Sequence, residues 1–402
     1  MLNYELKKIF SRPVNKIVTL ALIAIAVAAG LLAVRDVRYL TADGYIHGAK
    51  AAKQLKEEKN QWRGALTEQA LQKAVQTNQE LHAGIGREDY AAMDEALQKG
   101  QGLKDIRDMI SLAFSGFKNY DYYRADSVTT EEAGSFYQQR IAGLKEWLDS
   151  GEGNFSQKEQ AFLIKQFEKT HTPFHYEYAE GWKTLLDSQY LPILTIIVVI
   201  VCGFLVAGIF SGEFQLRADS IFFSSKLGRG RAVLSKLGSG ILTVSVVYWG
   251  AMLLYAVLVL GLLGFGGASC EVQIGNWKSI YNLTYGQDAL LTLAGGYIGC
   301  LFISTLAMLV SAKSRSMAIA VTIPFLLSCI PMFLGRIPFL SRIMTLFPDQ
   351  LLQISMNLDT MKLYEIGGKV MGHLSVIVPL YLLLWALAVP ALYWLYRRAE
   401  VK

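Results

Sequence analysis

Six long stretches of the chain contain no charged residue and no histidine, and they dominate its hydrophobic pattern. Each is close to the roughly 17–25 residues that a helix needs to cross about 30 Å of hydrocarbon. A chain inside lipid must satisfy its own backbone hydrogen bonds, so each stretch is expected to be a helix. The sequence therefore predicts six transmembrane helices, at residues 17–34, 191–210, 241–264, 289–310, 317–334 and 374–396.

The first two predicted spans are separated by a long polar region, residues 35–190. Its apolar positions recur at steps of three and four residues, which is the spacing of one helix face. Helical segments are predicted at 48–81 and 89–117, from a Thr-Thr-Glu-Glu start at Thr129 to Trp147 and Leu148, and from about Ser156 to a point before Pro173. The region is therefore predicted to be a folded, mainly helical domain.

This domain contains no cysteine, so no disulfide framework can stabilise it. Of the four cysteines in the chain, only Cys270 lies outside a predicted span. The domain must therefore be held by packing or by contact with its neighbours. Its aromatic residues are concentrated at 120–123 and 174–178. These segments can line a ligand surface, or they can pack in a core or at a membrane interface.

Residues 1–16 have the pattern of a short amphipathic helix. The apolar side chains fall on one face, while Lys7, Lys8 and Arg12 fall elsewhere. Pro13 predicts a bend before the first span. Such a helix can anchor the chain on the inner membrane surface, and it can also contact a partner there.

The segment after the second span, residues 211–240, breaks the apolar pattern. It contains Glu213, several glycines and five basic residues, with apolar residues between them. A basic and partly apolar loop of this kind lies on a membrane surface or docks on a partner. Its basic residues are Arg217, Lys226, Arg229, Arg231 and Lys236.

A pair of glycines in the fourth span predicts close packing. Gly295 and Gly299 lie four residues apart in the fourth span, a spacing that lets another helix approach closely. The contact can lie within the chain or between two subunits.

The segment 335–373 is apolar enough to fold back toward the membrane as short helices, although it need not do so.

The composition and charge distribution indicate an oriented membrane protein. Charged residues make up 18% of the 402 residues, against roughly 25% in average soluble chains. With the N-terminus inside, the inner segments contain 14 Lys and Arg against 4 acidic residues, whereas residues 35–190 contain 20 against 24. Basic residues favour the cytoplasmic side, so both termini are predicted to be cytoplasmic and the helical domain extracellular. The inner segments are 1–16, 211–240, 312–316 and 397–402, and the last includes Glu400.

The chain lacks the motifs of several kinds of chemistry. It has no Gly-x-x-x-x-Gly-Lys-[Ser/Thr] phosphate loop, no His-Glu-x-x-His motif and no Gly-x-Ser-x-Gly elbow. His171 and His175 have the spacing of a metal pair, but Pro173 lies between them and no third ligand is evident. The spans contain no ionisable residue for ion coupling. The sequence therefore gives no indication of an enzyme, of a resident metal or of an ion-driven pump. It also gives no indication of binding to nucleic acid.

This layout resembles that of an ABC-2-type transporter permease, the membrane subunit of an ATP-binding-cassette exporter. The resemblance covers the whole chain: an amphipathic N-terminal helix, six spans, internal termini and a cytoplasmic loop after the second span. The matching loop residues are Glu213, the run 224–231, and Lys236 at the entry to the third span. Family members often have a Leu-Ser-Ser-Pro-like turn here, and this chain lacks that proline. The large insert at 35–190 resembles that of Gram-positive bacterial members.

The resemblance implies an exporter in the bacterial cell membrane. A separate ATPase subunit would bind ATP and Mg, a second permease subunit would form a homo- or heterodimer with this chain, and the chain itself would hold no cofactor. Closure of the ATPase would move the loop as a lever. The basic residues of the loop would meet an acidic groove or anionic membrane lipids. The implied coupling residues are Glu213, Arg217, Ser225, Lys226, Arg229, Arg231 and Lys236.

Other functions stay open on the sequence alone. A membrane-embedded sensor or scaffold would use its extracellular domain to bind a peptide or a cell-envelope ligand. A membrane enzyme is a third class, for which no catalytic constellation is present. Peptides, lipid-like molecules, drugs and sodium ions all fit as exported substrates, with a preference for an amphipathic or lipid-like one. A neighbouring reading frame for an ATPase would favour the exporter over the scaffold.

Overall fold

The computed structural model describes residues 1–85 and 89–399. Residues 86–88 and 400–402, with Glu400 among them, lie outside the described part. The described chain is mainly helical, as the sequence predicts. Within it, five helices are long and apolar enough to cross a membrane, and one further apolar helix is shorter. This architecture is that expected of an all-α, multi-pass membrane protein.

The chain begins with two helices joined at a bend. Helix α1 spans Leu2–Ser11 and α2 spans Pro13–Asp36. Arg12 between them is extended, with φ −72° and ψ 124°, because a residue before proline avoids the helical region. Proline itself is well suited to the first position of a helix. The first apolar helix therefore begins at Pro13 and not at the predicted Ile17.

Short helices and two small antiparallel sheets make up the region between α2 and the next apolar helix, which we call the helical domain. Its elements are β1 (Arg38–Thr41), β2 (Gly44–His47), α3 (Gly48–Lys59), β3 (Gly64–Ala65), α4 (Glu68–His82), α5 (Tyr90–Lys99), α6 (Lys104–Phe114), α7 (Arg124–Ser127), α8 (Thr130–Ala133), α9 (Phe136–Asp149), α10 (Gln157–Glu168), β4 (His175–Tyr176) and α11 (Glu180–Leu185). Strand β1 pairs with β2, and β3 pairs with β4.

The two longest helical segments predicted in this domain are interrupted. Segment 48–81 divides into α3 and α4 near Gly64, whose φ of +137° disfavours any side chain. Segment 89–117 divides into α5 and α6 near Gly102, where a Cβ would lie 2.9 Å from the backbone of Glu58. The prediction of continuous helices was wrong because hydrophobic periodicity does not register such turns and close approaches.

The predicted helix starts at Thr129 and Ser156 are confirmed, but the predicted helix from Thr129 to Trp147 and Leu148 is interrupted between α8 and α9. Each hydroxyl accepts a hydrogen bond from the backbone N–H three residues later, at Glu132 and Glu159 respectively. The two glutamate carboxylates accept in return from the backbone N–H of the capping residue, at 2.8 Å in both cases. These capping boxes satisfy N–H groups that would otherwise lack a partner at the helix start.

The second half of the chain contains the remaining apolar helices. Its elements are α12 (Leu191–Ala207), α13 (Gly212–Gln215), α14 (Asp219–Ser224), α15 (Arg231–Leu263), α16 (Tyr285–Ser314), α17 (Met317–Leu334), α18 (Pro338–Met344), α19 (Ile354–Asn357), β5 (Leu363–Ile366), β6 (Lys369–Gly372) and α20 (His373–Arg397). Helix α12 has 17 residues and ends before Gly208. Helix α15 begins within the predicted loop 211–240, so the last part of that segment is helical.

The core of the helical domain is completed by the loop between α15 and α16. The ring of Trp277 from this loop lies 4.9 Å from that of Phe136. Arg140 donates to the backbone carbonyls of Trp277 and Ser279, at 3.1 and 2.9 Å. Within 174–178 the aromatic rings of Phe174, Tyr176 and Tyr178 are buried, as expected for core packing. Contact with a distant loop thus stabilises a domain that contains no disulfide.

Helices α12, α15 and α16 form the interior of the apolar bundle, whereas α17 and α20 lie at its edge with few buried residues. Helices α12 and α17 approach closely at Gly203, where a Cβ would lie 2.0 Å from Cγ of Pro324. Residues Pro348–Gln353 form a 3-10 helix whose Leu351 and Leu352 are buried against the bundle. The first part of segment 335–373 therefore folds as short helices, whereas its last part is the hairpin of β5 and β6.

Candidate functional site

Two of the predicted coupling residues meet at the basic end of the bundle. Glu213 lies in α13, just beyond α12, and Lys236 lies in the second turn of α15. The ammonium group of Lys236 donates to both carboxylate oxygens of Glu213 at 2.7 Å and to the carbonyl of Ile209 at 2.9 Å. Lys236 is 1% exposed and Glu213 is 8% exposed. This buried ion pair ties the loop after α12 to α15.

The N-terminal helix and the last helix join the same ion pair. Lys8 Nζ lies 3.2 Å from Glu213 Oε1, and Glu5 Oε2 lies 3.4 Å from Lys236 Nζ. The hydroxyl of Tyr396, near the end of α20, donates to Glu213 at 3.5 Å. We call these five residues the Glu213 cluster. Helices α1, α13, α15 and α20, which are far apart in sequence, therefore meet around one carboxylate.

The neighbouring charges shift the pKa values of Glu213 and Lys8 toward their ionised forms. Burial alone would raise the pKa of the Glu213 carboxyl, but the ammonium groups of Lys236 and Lys8 outweigh it and lower this pKa. Burial likewise acts to lower the pKa of Lys8, but Glu213 and Glu5 raise it above its usual value. Two positive and two negative charges compensate one another, and removing one partner of the buried pair of Glu213 and Lys236 leaves the other charge unbalanced in a buried place.

Aromatic rings cover the Glu213 cluster. The ring of Tyr396 lies 4.8 Å from that of Phe210 and 5.3 Å from that of Phe223. The ammonium group of Lys236 lies 5.3 Å from the centre of the Phe222 ring, within cation–π distance. The rings pack α14 against the end of α20.

Arg229 contacts the chain itself. Its guanidinium donates to the backbone carbonyls of Arg397 and Ala399, at 2.8 and 3.3 Å. It also lies 5.0 Å from the centre of the Phe223 ring. A cation at the C-terminus of a helix is stabilised by the carbonyl groups that end there. Arg229 therefore holds the loop to α20 in this conformation.

The rest of the predicted coupling segment is a surface on which basic and apolar side chains are exposed together. Ser225 is also exposed there, and its hydroxyl donates to the backbone carbonyl of Phe222 at 2.8 Å. Such a surface is typical of docking to a protein or to a membrane. We call it the loop surface, and its residues are Leu216, Arg217, Ile221, Lys226 and Arg231.

Gly295 and Gly299 face a segment of their own chain. A Cβ on Gly295 would lie 2.1 Å from Cδ1 of Ile354, and one on Gly299 would lie 3.0 Å from Cδ2 of Leu352. Leu352 and Ile354 belong to the folded-back segment that starts at Pro348. The close approach at these glycines is therefore a contact within the chain.

Gly295→Ala is expected to destabilise the protein by about 1–3 kcal/mol, because the new methyl group overlaps Ile354. Ile354→Val removes the colliding atom and should restore part of the loss in the double variant. The measurement is denaturant unfolding of the purified protein in detergent. Gly250→Ala is the matched control, because no atom lies within 4 Å of a Cβ there. Equal effects at both glycines would contradict the packing explanation.

A second buried charge cluster lies where the helical domain meets the bundle. Lys59 in α3 and Lys183 in α11 each lie 2.9 Å from Asp105 in α6, and Lys59 also bonds to Glu180. The hydroxyl of Tyr176 donates to Asp105 at 3.1 Å. We call these five residues the Lys59 cluster. The cluster cannot be recognised from the sequence, because Lys59 and Asp105 are far in sequence from each other and from the other three residues.

The four charged residues of the Lys59 cluster line a cavity of about 440 Å³ beside the end of α2 and the start of α12. Burial alone would raise the pKa of Asp105, but Lys183 and Lys59 lower it well below its usual range. Burial acts to lower the pKa of Lys59, and Asp105 and Glu180 reverse that effect. The cluster is electrically balanced, so it links α3 and α6 to α11 without a net charge.

Metal binding has no evident site in the described chain. Among residues 1–85 and 89–399 there is no group of three or more His, Cys, Asp or Glu side chains that could hold a metal ion. His175 lies in β4 and not on a helix with His171.

The fold places the chain in a broad class, that of all-α multi-pass membrane proteins. No protein-family model matches the sequence, and no curated protein or solved structure is significantly similar to it. The functional assignment therefore depends on the arrangement of the helices and on the two charge clusters.

Proposed function

We propose that the chain is the permease subunit of an ABC-2-type transporter, which exports a peptide, lipid-like or drug-like substrate. The observation that carries this proposal is the buried pair of Glu213 and Lys236. It makes the loop, α1 and α15 one packed unit directly behind the exposed loop surface. A force applied to the loop would reach the apolar helices through this unit. That force would come from a separate ATPase subunit that binds ATP and Mg.

The proposal includes a topology of six spans with both termini in the cytoplasm. Helix α12 counts as the sixth span, since 17 residues extend about 26 Å, at the short end of what a bilayer requires. The basic segments then face the cytoplasm and the helical domain lies outside the cell membrane. A second permease subunit and membrane lipids would cover the exposed apolar faces of α17 and α20.

The test is co-purification with a candidate ATPase subunit, followed by a measurement of ATP turnover. Lys226→Glu with Arg231→Glu is expected to weaken ATPase binding at least about tenfold, because charges at an interface set association and partner choice. Both side chains are exposed on the loop surface, so the fold should be unaffected. Arg229 is avoided because it stabilises the end of α20.

The matched control is Lys50→Glu with Lys53→Glu, two exposed lysines of α3 in the helical domain. This double reversal makes the same change in net charge at the opposite end of the molecule, and it should leave ATPase binding unchanged. Equal weakening by both pairs would indicate a general charge effect. Wild-type binding by the loop-surface variant would remove that surface from the interface.

A membrane-embedded sensor or scaffold is the second candidate, and one observation favours it. The helical domain has a cavity of about 350 Å³ lined by apolar Leu81 and Leu97, by the exposed ring of Tyr45, and by Arg107. A cavity of this size and lining suits a small amphipathic ligand. A chain that purifies without any ATPase under mild conditions would favour this function.

A further inference from the structure

The cavity of about 350 Å³ in the helical domain lies among β1, β2, α4, α5 and α6. We call it the Arg107 cavity. Its apolar lining comes from α4, α5 and the loop that follows α5, and includes Leu81, Ala96, Leu97 and Leu103. Its basic lining includes Arg38, Lys104 and Arg107, and no Asp or Glu is among the described residues that line it. The cavity therefore combines an apolar wall with a basic one.

Arg107 presents part of its guanidinium to this cavity. The side chain is 8% exposed, its Nε donates to Asn78 at 3.1 Å and its Nη2 donates to Asp126 at 3.1 Å. Nη1 has no hydrogen bond within the described chain, yet it is not one of the enclosed side-chain atoms that lack a partner. Its N–H groups are therefore accessible from the space that Arg107 lines. Polar groups of buried side chains normally have a partner, and a ligand in the cavity can provide one.

Arg38 adds a second guanidinium, held on the wall by β1. Its side chain is exposed, and among the described residues it forms no ion pair. Its backbone pairs with that of His47 in the hairpin of β1 and β2. Two residues later, the N–H of Leu40 donates to the side chain of Gln101 at 2.7 Å, and that side chain donates back to the carbonyl of Leu40 at 2.8 Å. These bonds fix β1, and with it Arg38, against the loop between α5 and α6.

The charge of Arg38 is in excess in this cavity. Lys104 lies 3.1 Å from Asp108, and Arg107 lies 3.1 Å from Asp126, so carboxylates outside the lining compensate these two residues. A cation that entered would meet three basic side chains and no carboxylate of the lining. The Arg107 cavity therefore favours an anionic group.

We propose that the Arg107 cavity binds an amphipathic carboxylate. The carboxylate accepts hydrogen bonds from Arg38 and from Nη1 of Arg107, because a guanidinium group matches the two oxygens of a carboxylate. The apolar part of the ligand lies against Leu81 and Leu97, with the exposed ring of Tyr45 beside it. An apolar cavity with a few directed polar groups is typical of a small-molecule site.

The proposal names a ligand class for the sensor or scaffold function, and in that respect it rests on that candidate. Binding of the carboxylate needs no ATPase. Its result is therefore independent of the co-purification test of the transporter function.

The experiment is isothermal titration of the full chain in lipid nanodiscs with hydrocinnamate, corrected with empty nanodiscs. The amide of hydrocinnamic acid, which has nearly the same shape and no charge, is the ligand control. Hydrocinnamate is expected to bind at least about tenfold more tightly than the amide, since hydrogen bonds between charged groups are the stronger ones.

Arg38→Gln should weaken hydrocinnamate at least about tenfold and leave the amide unchanged. Arg38 is exposed and unpaired among the described residues, so this variant should fold as the wild type does. Arg107→Gln should have the same effect, and unchanged binding of the amide would show that its cavity is intact. Because Arg107→Gln removes the ion pair with Asp126 and can impair folding, Arg38→Gln is the deciding variant.

Arg336→Gln is the matched control, an exposed arginine between α17 and α18 that does not line the cavity. It should bind hydrocinnamate as the wild type does. Equal affinity for carboxylate and amide, no measurable binding of hydrocinnamate, or unchanged binding in Arg38→Gln would overturn the proposal. Equal affinity would still leave the cavity as a ligand site for the sensor candidate, whereas no binding of either compound would count against both.

Discussion

Lys236→Met is expected to lower the free energy of unfolding by about 3–5 kcal/mol, because it leaves the Glu213 carboxylate buried without its main partner. Lys236 makes two 2.7 Å contacts with that carboxylate and a third contact with the carbonyl of Ile209. Methionine keeps the length of the side chain, so the change tests the charge and not the volume. The measurement is denaturant unfolding of the purified chain in detergent, followed by tryptophan fluorescence.

The double variant Glu213→Gln with Lys236→Met should be more stable than Lys236→Met alone. A neutral pair of similar shape removes the unbalanced charge, and buried ion pairs can often be replaced in this way. Lys8→Ala is the comparison within the same cluster. The Lys8 side chain is 52% exposed, so its loss should change stability by less than about 1 kcal/mol. Additive effects of the two buried changes would mean that they do not act as a pair.

In the proposed transporter the same variants distinguish an effect on folding from an effect on the coupling of ATP turnover to transport. The Glu213 cluster joins α1, α15 and α20 behind the loop surface, so its charges fix the position of that surface relative to the bundle. The neutral double variant keeps the packing but loses the contact from Lys8 and the hydrogen bonds of the ion pair. Under the proposed function it should bind the ATPase normally and show weaker coupling of turnover to transport.

The apolar helices can be predicted from the sequence because one property, the length of a run without charged residues, determines where they form. A charge-free run of sufficient length can be buried in lipid only as a helix, and each of the six runs does contain an apolar helix. Their ends are less well predicted. Arg231–Leu263 extends well beyond the apolar run into the basic loop, because a helix continues wherever its backbone bonds are favourable and does not stop at the limit of hydrophobicity.

The candidate site could be predicted only in part. Glu213 and Lys236 were selected as coupling residues from a family resemblance, but their mutual contact was not predicted. The contact depends on the end of α12 at Ala207 and on the turn through Gly208, which set the distance between α13 and α15. For Arg229 the sequence suggests a contact that the structure does not show. Its basic charge suggested contact with a partner protein, but its hydrogen bonds go to the backbone carbonyls of Arg397 and Ala399 in the same chain.

Small strands and distant charge pairs were missed for different physical reasons. The hairpin of β5 and β6 turns at Gly367 and Gly368, both with positive φ. A Gly-Gly pair between alternating residues is a recognisable hairpin signal, so this element could have been predicted. The Lys59 cluster could not, because Lys59 and Asp105 lie in separate helices and nothing local in either one marks them as partners.

Asp105→Asn is expected to lower the free energy of unfolding by about 3–5 kcal/mol, since two buried ammonium groups then share only Glu180. Lys59→Met in the same chain removes one of these charges and leaves the contact of Glu180 with Lys183, so the double variant should recover part of the loss. Hydrogen exchange of the backbone amides in α3, α6 and α11 measures the loss of stability in the helices that the Lys59 cluster joins. Faster exchange confined to the distant α17 and α20 would contradict a role in joining the domain to the bundle.

The Lys59 cluster also gives stability a pH dependence of definite sign. In the unfolded chain Asp105 has a pKa of about 3.9, whereas in the folded protein burial is outweighed by Lys183 and Lys59, which hold this pKa well below that value. A carboxyl with a lowered folded pKa stabilises the protein above its unfolded pKa, and the contribution is lost as the pH falls. Between about pH 5 and pH 2 the wild type should therefore lose more stability than Asp105→Asn. Parallel pH profiles of the two proteins would mean that Asp105 is not the carboxylate on which this interface depends.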